Sequence, residues 1–549
     1  MSALLPRLRG LPLYVPAAMI AIGGWAHRWM NEDAYINLRI VDQIFAGHGP
    51  VFNAGERIEA ATSPLWLAVL VLGRAIFGLF VRDEWIAVIA SLVAAVAAFT
   101  IAGRATGLLH RDDDGVTVPI GLILVAAVAV VWDFSTSGLE MGLVFLWIAA
   151  SWFVLVSVAR TPTINGRRRF GFGVVLGLAP LVRPELGLMM VCFLVAWFAL
   201  VQPRRVRFDL VAIFILPVLY QVFRMGYYAT VVPNTALAKD AGHLYLGQGW
   251  RYAEDLVGSY HLWVTAALIA GVVVLEQRRR RDRRIAVATT AMISAAVVNA
   301  AYIVAIGGDY MHGRLLLPAF VAFALPASVS IRKDTVLQLG VGAAAGVWAL
   351  VSVVAFRPPP VNITAFGVPE ISDWRTVSHA KVVLDDDALG INGHEAAAAY
   401  AQGVRGYYLL EDREPRTASD PDAFVLLLGS IGAPAYNAGR RIWVVDIGGL
   451  AEPLAARTTA VPGRAAGHRK EIALAWYDAR FTPPSPSDSP QVVAARHVLT
   501  CPAIADLLDA VDSKLTPGRF LSNLFHSVGY TTLEVPADPI EAERRYCPS

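Results

Sequence analysis

From Trp85 to Gly103 the chain reads WIAVIASLVAAVAAFTIAG, nineteen residues without a charge. As a helix it would measure about 28 Å, close to the roughly 30 Å hydrocarbon thickness of a bilayer. Similar runs surround it, at 11–28, 116–132, 139–159, 170–182, 185–202, 209–224, 260–276, 285–306, 315–330 and 336–356. Hydrophobic residues make up 56% of the 549 and charged residues 17%, where a soluble domain carries about 25% charge. Mean hydropathy is +0.51. The shortfall in charge is confined to residues 11–356, and 357–549 read as a soluble domain. The net charge of +3 carries no nucleic-acid signature. The apolar stretch after Leu11 is followed by no small-residue cleavage site, so it reads as a retained first helix.

The arginines orient these runs. Arg160 with Arg167 to Arg169, then Arg204, Arg205 and Arg207, then Arg278 to Arg281 with Arg283 and Arg284, occupy short loops. Short basic loops lie on the cytoplasmic side. Arg7, Arg9, Arg332 and Lys333 agree. Counting back from Arg160 puts 104–115 inside, which leaves one crossing between residues 33 and 104. The run 85–103 takes it. The run 64–80, interrupted by Arg74, is then a helix lying along the outer membrane face. The expectation is eleven spans in a plasma (inner) membrane, with the N-terminus cytoplasmic and the C-terminal domain extracytoplasmic. In that compartment Cys501 and Cys547 are allowed to pair, with two free thiols as the alternative. Cys192 lies in an apolar run.

Polar clusters fall on the inferred outer face. Asn31, Glu32, Asp33 and Tyr35 follow the first run. After them come Arg39, the turn-rich stretch GHGPVFNAGERIE from Gly47 to Glu59, which holds Glu56 and Arg57, and TSPLW from Thr62. Glu140 sits just inside a spanning run, where an ionisable group is costly and is usually paired or functional. Arg183 and Glu185 flank Pro184 between two runs. Asn234 and Lys239 follow Pro233. GGDYMHGR, from Gly307 to Arg314, brings Asp309, His312 and Arg314. Each cluster alone reads equally well as a solvated helix end, an internal ion pair or a capped loop. Together they offer acids, a histidine that works near neutral pH, and cations that pair with phosphate. That inventory suits an anionic lipid-linked substrate. An Asp beside a Glu is also the ligand type of a hard divalent cation, and the residues leave metal dependence open.

The first-loop pattern, with Thr136-Ser137-Gly138-Leu139-Glu140, Arg183-Pro184-Glu185, Pro233-Asn234-Thr235 and Gly307-Gly308-Asp309-Tyr310-Met311, resembles the terminal arabinofuranosyltransferases of mycobacterial and corynebacterial cell walls. The resemblance covers the membrane portion. It implies a polytopic α-helical membrane protein of GT-C type, with a juxtamembrane helix in the first outer loop and a C-terminal soluble α/β domain. Residues 1–356 would form the catalytic domain, and 357–549 a domain that binds or positions the acceptor. The implied donor is decaprenyl-phosphoryl-arabinofuranose, and the implied acceptor is arabinan of arabinogalactan and lipoarabinomannan, extended in a terminal β-1,2 linkage. The essential acid of the class falls on Asp33, and Glu32 stands where many relatives carry a second Asp. Asp33 and His312 are then the catalytic candidates. Glu32, Tyr35, Arg39, Glu56, Arg57, Glu140, Arg183, Glu185, Asn234, Lys239, Asp309 and Arg314 are the substrate-binding candidates. A β-linked donor and a β-linked product require net retention, by a covalent intermediate or by attack from the leaving-group face, and the residues do not choose between them. Two other readings stand beside this one: a GT-C transferase using another polyprenyl-phosphate sugar such as mannose, and a lipid-carrier flippase or transporter. The chain shows no internal repeat of the kind transporters carry.

In the C-terminal region, 381–385, 424–428 and 441–446 read as strands, and 393–401 and 502–513 as helices. Trp374, Tyr407, Tyr408 and Trp476 are aromatics of the type that stacks on sugars, though core packing is the stronger reading of each.

Overall fold

The computed structural model describes residues 10–161, 163–201, 205–331, 336–357, 371–373, 375, 408–409, 425–429, 431–440, 442–461 and 467–547. The expected strand at 381–385, the helix at 393–401, Arg332, Lys333, Trp374 and Tyr407 lie outside them. Packing divides the chain into two units that do not follow a boundary at residue 357. The first holds Met1–Asn31, Ser63–Pro217 and Leu244–Leu384; the second holds Glu32–Thr62, Val218–His243 and Asp385–Ser549.

The molecule is mostly helical. Five described helices are long and apolar enough to cross a membrane: Asp83–Leu109, Met141–Arg160, Val206–Tyr228, Arg283–Ala305 and Val336–Ala355. A sixth crossing arises if Leu246–Ser259 and Leu262–Arg280, bent by 82° at their junction, act as one. Leu11–Ala26, Pro64–Phe77, Leu186–Leu200 and Arg314–Ala324 are shorter apolar helices. Pro64–Phe77 has 14 residues, about 21 Å of helix, which is too short to cross unaided. It buries Trp66 and Leu70 and exposes Leu72, Ile76 and Phe77, with Leu79 and Phe80 exposed just beyond it. Its apolar residues thus lie on both the buried and the exposed side.

Several expected runs are not single helices; 170–182 falls on two, Gly166–Gly177 and Ala179–Val182. The 116–132 run begins as a strand, Val116–Val118, antiparallel to Val329–Ile331, so residues at the end of the 315–330 run are spent on the same ladder. The helix Ile120–Ala126 then stops, and a second helix runs from Ala129 to Phe134. The Trp132 indole N–H donates to the Ala126 carbonyl at 2.7 Å and supplies the partner that the break removes.

Within the first unit, Asp83–Leu109 and Met141–Arg160 pack closely because Gly142 presents no side chain to the Ser91 carbonyl. The ends of several helices are tied together by arginines. Arg284 donates to the carbonyls of Ala159 (3.0 Å), Val158 and Leu200 (both 2.9 Å). Arg160 donates to Leu108 O and Arg280 to Leu109 O. Cations are favoured at helix C-termini, where carbonyls lack partners. The loops assigned inside by the parity count, around 109, 160, 201 and 280, are thereby gathered at one end of this unit.

The second unit joins the first polar loop to the C-terminal region. Val425–Leu428 pairs in parallel with Trp443–Asp446, and Tyr408–Leu409 flanks Val425–Leu428 antiparallel. Leu427, Trp443, Val445, Trp476, Phe481 and Ile504 belong to the core beneath this sheet. The expected strands at 424–428 and 441–446 and the helix at 502–513 fall on observed elements. Cys501 and Cys547 form a disulfide with Cα atoms 5.7 Å apart.

Candidate active site

The candidate residues divide between the two units. In the first unit, Glu140 is the residue before the Met141–Arg160 helix. It lies one helix length, about 30 Å, from the arginine-tied end. Arg183 stands in extended backbone between Ala179–Val182 and Leu186–Leu200, and its guanidinium donates to both Glu140 and Glu185. Arg314 reaches Glu140 at 3.4 Å and Asp309 at 3.5 Å, and donates to the Met311 sulfur at 3.2 Å. Five ionisable side chains thus share one cluster, two guanidinium groups among three carboxyl groups.

The loop 307–314 that carries two of these five side chains is shaped by glycines. Gly308 and Gly313 have φ of +71° and +67°, a left-handed conformation that a side chain disfavours. The Tyr252 ring fills the space a Cβ at Gly308 would need. The Tyr252 hydroxyl donates to Met311 O and accepts from Leu315 N, both at 3.0 Å. His312 is clamped by the same region: its N–H donates to Ser372 O at 2.9 Å, and its Nδ1 lies 2.5 Å from the Asp255 carboxylate. His312 Nε2 is buried without a hydrogen-bond partner among the described residues. With Nδ1–H given to Asp255, Nε2 of a neutral ring is a lone pair able to take a proton. Asn31 joins the cluster, donating to Ser137 O at 2.8 Å and to the Met311 sulfur.

Sequence reasoning missed Asp255 and Tyr252. Both lie on Leu246–Ser259, whose Glu254-Asp255 pair stands 57 residues from His312 in sequence, and the helix bends by 82° into Leu262–Arg280. An apolar cavity of about 360 Å³ opens where the bent pair meets Arg283–Ala305 and the helix after Arg314. Leu256, Trp263, Ala296, Leu316, Phe320 and Phe323 are among its walls. A second missed group, His27, Asp133 and Arg375, lies in the same unit: His27 donates to Asp133 at 2.7 Å and Arg375 to His27 O at 3.0 Å.

In the second unit Asp33 stands half-buried at the start of the Ala34–Phe45 helix. Glu32 beside it accepts from Gly432 N at 2.5 Å. Tyr35 is buried with its ring 5.5 Å from that of Tyr436. The other candidates here hold the unit together. Arg39 donates to the carbonyls of Phe52, Ala435, Gly439 and Ile442 at 2.5–3.0 Å. Asn53 pairs with both backbone groups of Val444. Arg57 donates to Tyr227 O, Ser513 O and Ala510 O, and Asn234 to Gly449 O at 2.8 Å. Glu56 shares Arg480 with Glu452 and Asp512 at 2.7, 2.9 and 3.0 Å. Burial pushes the Glu56 carboxyl up to about 8 against the pull of Arg480. Lys239 is partly exposed at the end of Asn234–Ala238. Among the described residues, one trio of ligand-type side chains gathers its atoms within 4.8 Å, His497 with Cys501 and Cys547, and its two sulfurs are already joined.

Two curated proteins are similar to this chain over nearly its whole length. A terminal β-(1→2)-arabinofuranosyltransferase of Corynebacterium glutamicum is 30% identical over 96% of this chain and 86% of its own. A protein of the same name from Mycobacterium tuberculosis is 31% identical over 95% of each. The AftB family C-terminal domain matches residues 397–545. No solved structure matches the chain.

Proposed function

This chain belongs to the family of terminal β-(1→2)-arabinofuranosyltransferases, and on that premise we propose that it moves arabinofuranose from decaprenyl-phosphoryl-arabinofuranose to the arabinan ends of arabinogalactan and lipoarabinomannan. It is a membrane glycosyltransferase with a sugar donor and an arabinan acceptor. The relatives' activity separates this reading from a mannose-using transferase and from a flippase.

The observation that carries the chemistry is His312. Its Nδ1 is fixed by Asp255, its Nε2 is buried and without a hydrogen-bond partner among the described residues, and Arg314 and Glu140 lie in the same unit beside an apolar cavity. In this reading the cavity takes the first isoprene units, and Arg314 and Arg183 meet the departing phosphate. Three carboxylates already surround these two arginines, so a phosphate entering here displaces a carboxylate from a guanidinium or arrives as a carboxyl takes up a proton. His312 Nε2 holds or returns the proton that makes the exchange neutral. Asp33, the acid that the family pattern marks in the first outer loop, acts on the acceptor hydroxyl or on the developing oxocarbenium charge.

The finer topology belongs to the same proposal: eleven crossings, the N-terminus inside, Pro64–Phe77 along the outer face, and a C-terminal α/β domain outside that positions arabinan. Support comes from the arginine-tied helix ends at one end of the first unit and the Glu140 cluster at the other. The test is the purified protein in lipid nanodiscs with a synthetic arabinan acceptor and, separately, decaprenyl-phosphoryl-arabinofuranose or a polyprenyl-phosphoryl-mannose. Only the first donor should give product, with a terminal β-1,2 linkage. Mannosyl transfer at a comparable rate refutes the donor assignment.

A further inference from the structure

The helix Pro517–Thr532 leaves an apolar stripe exposed. Its two fully buried residues are polar, and Phe520 and Tyr530 also pack inward. Asn523 and Ser527 are buried, and Asn523 donates to Gly226 O at 3.1 Å and to Ala510 O at 3.0 Å. Thr531 accepts from Val231 N at 2.9 Å. The outward stripe is apolar: Leu521, Phe525 and Val528, at i, i+4 and i+7, are 53%, 78% and 59% exposed. A domain surrounded by water turns such a stripe inward.

The place where this helix is fastened says what covers it. Gly226 is in the last turn of Val206–Tyr228, a helix long and apolar enough to cross a membrane. Val218, Leu219 and Val222 on it are 54%, 58% and 41% exposed, as expected of a face turned to lipid. The Phe520 ring packs on Gly226, and Thr531 closes a second tie five residues beyond it. The Pro517–Thr532 helix is therefore held along its length at the point where this span leaves the bilayer. We propose that it is a membrane-surface helix, lying in the interfacial layer with Leu521, Phe525 and Val528 turned into the lipid. Insertion of such a face is typically about 5–10 Å deep. The domain that carries it is thereby pinned to the membrane surface by a contact additional to its covalent connection. The inference rests on the membrane reading of Val206–Tyr228 and is independent of the transfer chemistry.

The test uses the full chain in lipid nanodiscs with Cys192→Ala, its disulfide intact, and one nitroxide label at Phe525→Cys, Leu521→Cys, Val222→Cys or Ser487→Cys. Collision rates with oxygen, which concentrates in lipid, are compared with those of a water-soluble nickel chelate. Labels at 222, 521 and 525 should favour oxygen, and the label at the exposed Ser487 should favour nickel. If 222 favours oxygen while 521 and 525 behave like 487, the helix faces water and the proposal fails while the span stands. If 222 itself favours nickel, the membrane reading beneath the proposal fails with it. Dipolar broadening between labels at 525, with both relaxers excluded, means that a second copy covers the stripe, and it overturns the proposal in that form.

Discussion

Arg39 in the second unit and Arg183 in the first are both almost wholly buried, yet their partners differ in kind. Arg39 donates to four backbone carbonyls, and Arg57 to three. Those acceptors belong to the fold and cannot change charge. Arg183 and Arg314 are bonded to carboxylates instead, which can exchange partners or take up protons, and His312 Nε2 beside them has no hydrogen-bond partner among the described residues. A buried arginine among carbonyls is a rivet, and one among carboxylates is a place where an incoming anion can be traded in. Of the first-loop residues read from sequence as substrate ligands, Arg39 and Arg57 are of the first kind, whereas Glu56 shares Arg480 with two other carboxylates.

The comparison breaks or sharpens most in turnover. His312→Ala and Asp33→Asn should each lower arabinose transfer about 10²–10⁴-fold with the melting temperature unchanged. A folded variant of either that transfers at nearly the wild-type rate removes that residue from the chemistry. Arg39→Ala should do the opposite, leaving buried carbonyls without donors at a cost of roughly 3–5 kcal/mol. Its thermal unfolding should drop sharply, while the rate per folded molecule below that transition stays close to wild type. A stable Arg39→Ala protein with lost transfer would move Arg39 into the site.

A smaller effect is expected at Asp255. Asp255→Asn keeps a partner at His312 Nδ1 but removes the charge that orients the ring. Transfer should fall about 10–100-fold, as supporting carboxylates behind functional histidines typically cost. The loss should fall in kcat with the melting temperature unchanged, which a purely packing role would not do.

The smallest effect is a slope. Burial holds the Glu56 pKa near 8 rather than 4.5, so the folded chain retains a proton that the unfolded chain has released. The stabilisation is complete below about pH 4.5 and is lost as pH rises through about 8. Glu56→Gln should flatten the decline of melting temperature between those values, and an unchanged slope would show that another group holds the proton.

Part of the molecule could be read directly from the chain. The uncharged run 85–103 lies within the helix Asp83–Leu109, the short run with Arg74 is a helix too short to span unaided, and Glu140, Arg183, Glu185, Asp309, His312 and Arg314 do share one cluster or its immediate surroundings. What escaped reading has a common cause. Asp255 reaches His312 across 57 residues and Arg39 reaches Gly439 across 400, and no local pattern encodes either contact.

Hydrophobic run length and arginine placement act locally, because a bilayer tests each segment by itself for twenty apolar residues and for where its charges stop. On those terms the sequence by itself determined a polytopic membrane protein with polar loops at the helix ends. Whether a buried charge in those loops is a rivet or a reactive group depends on which acceptor stands opposite it. Burial removes the water that would otherwise satisfy the charge, so the answer lay with partners brought in from distant segments, and only the tertiary structure decided it.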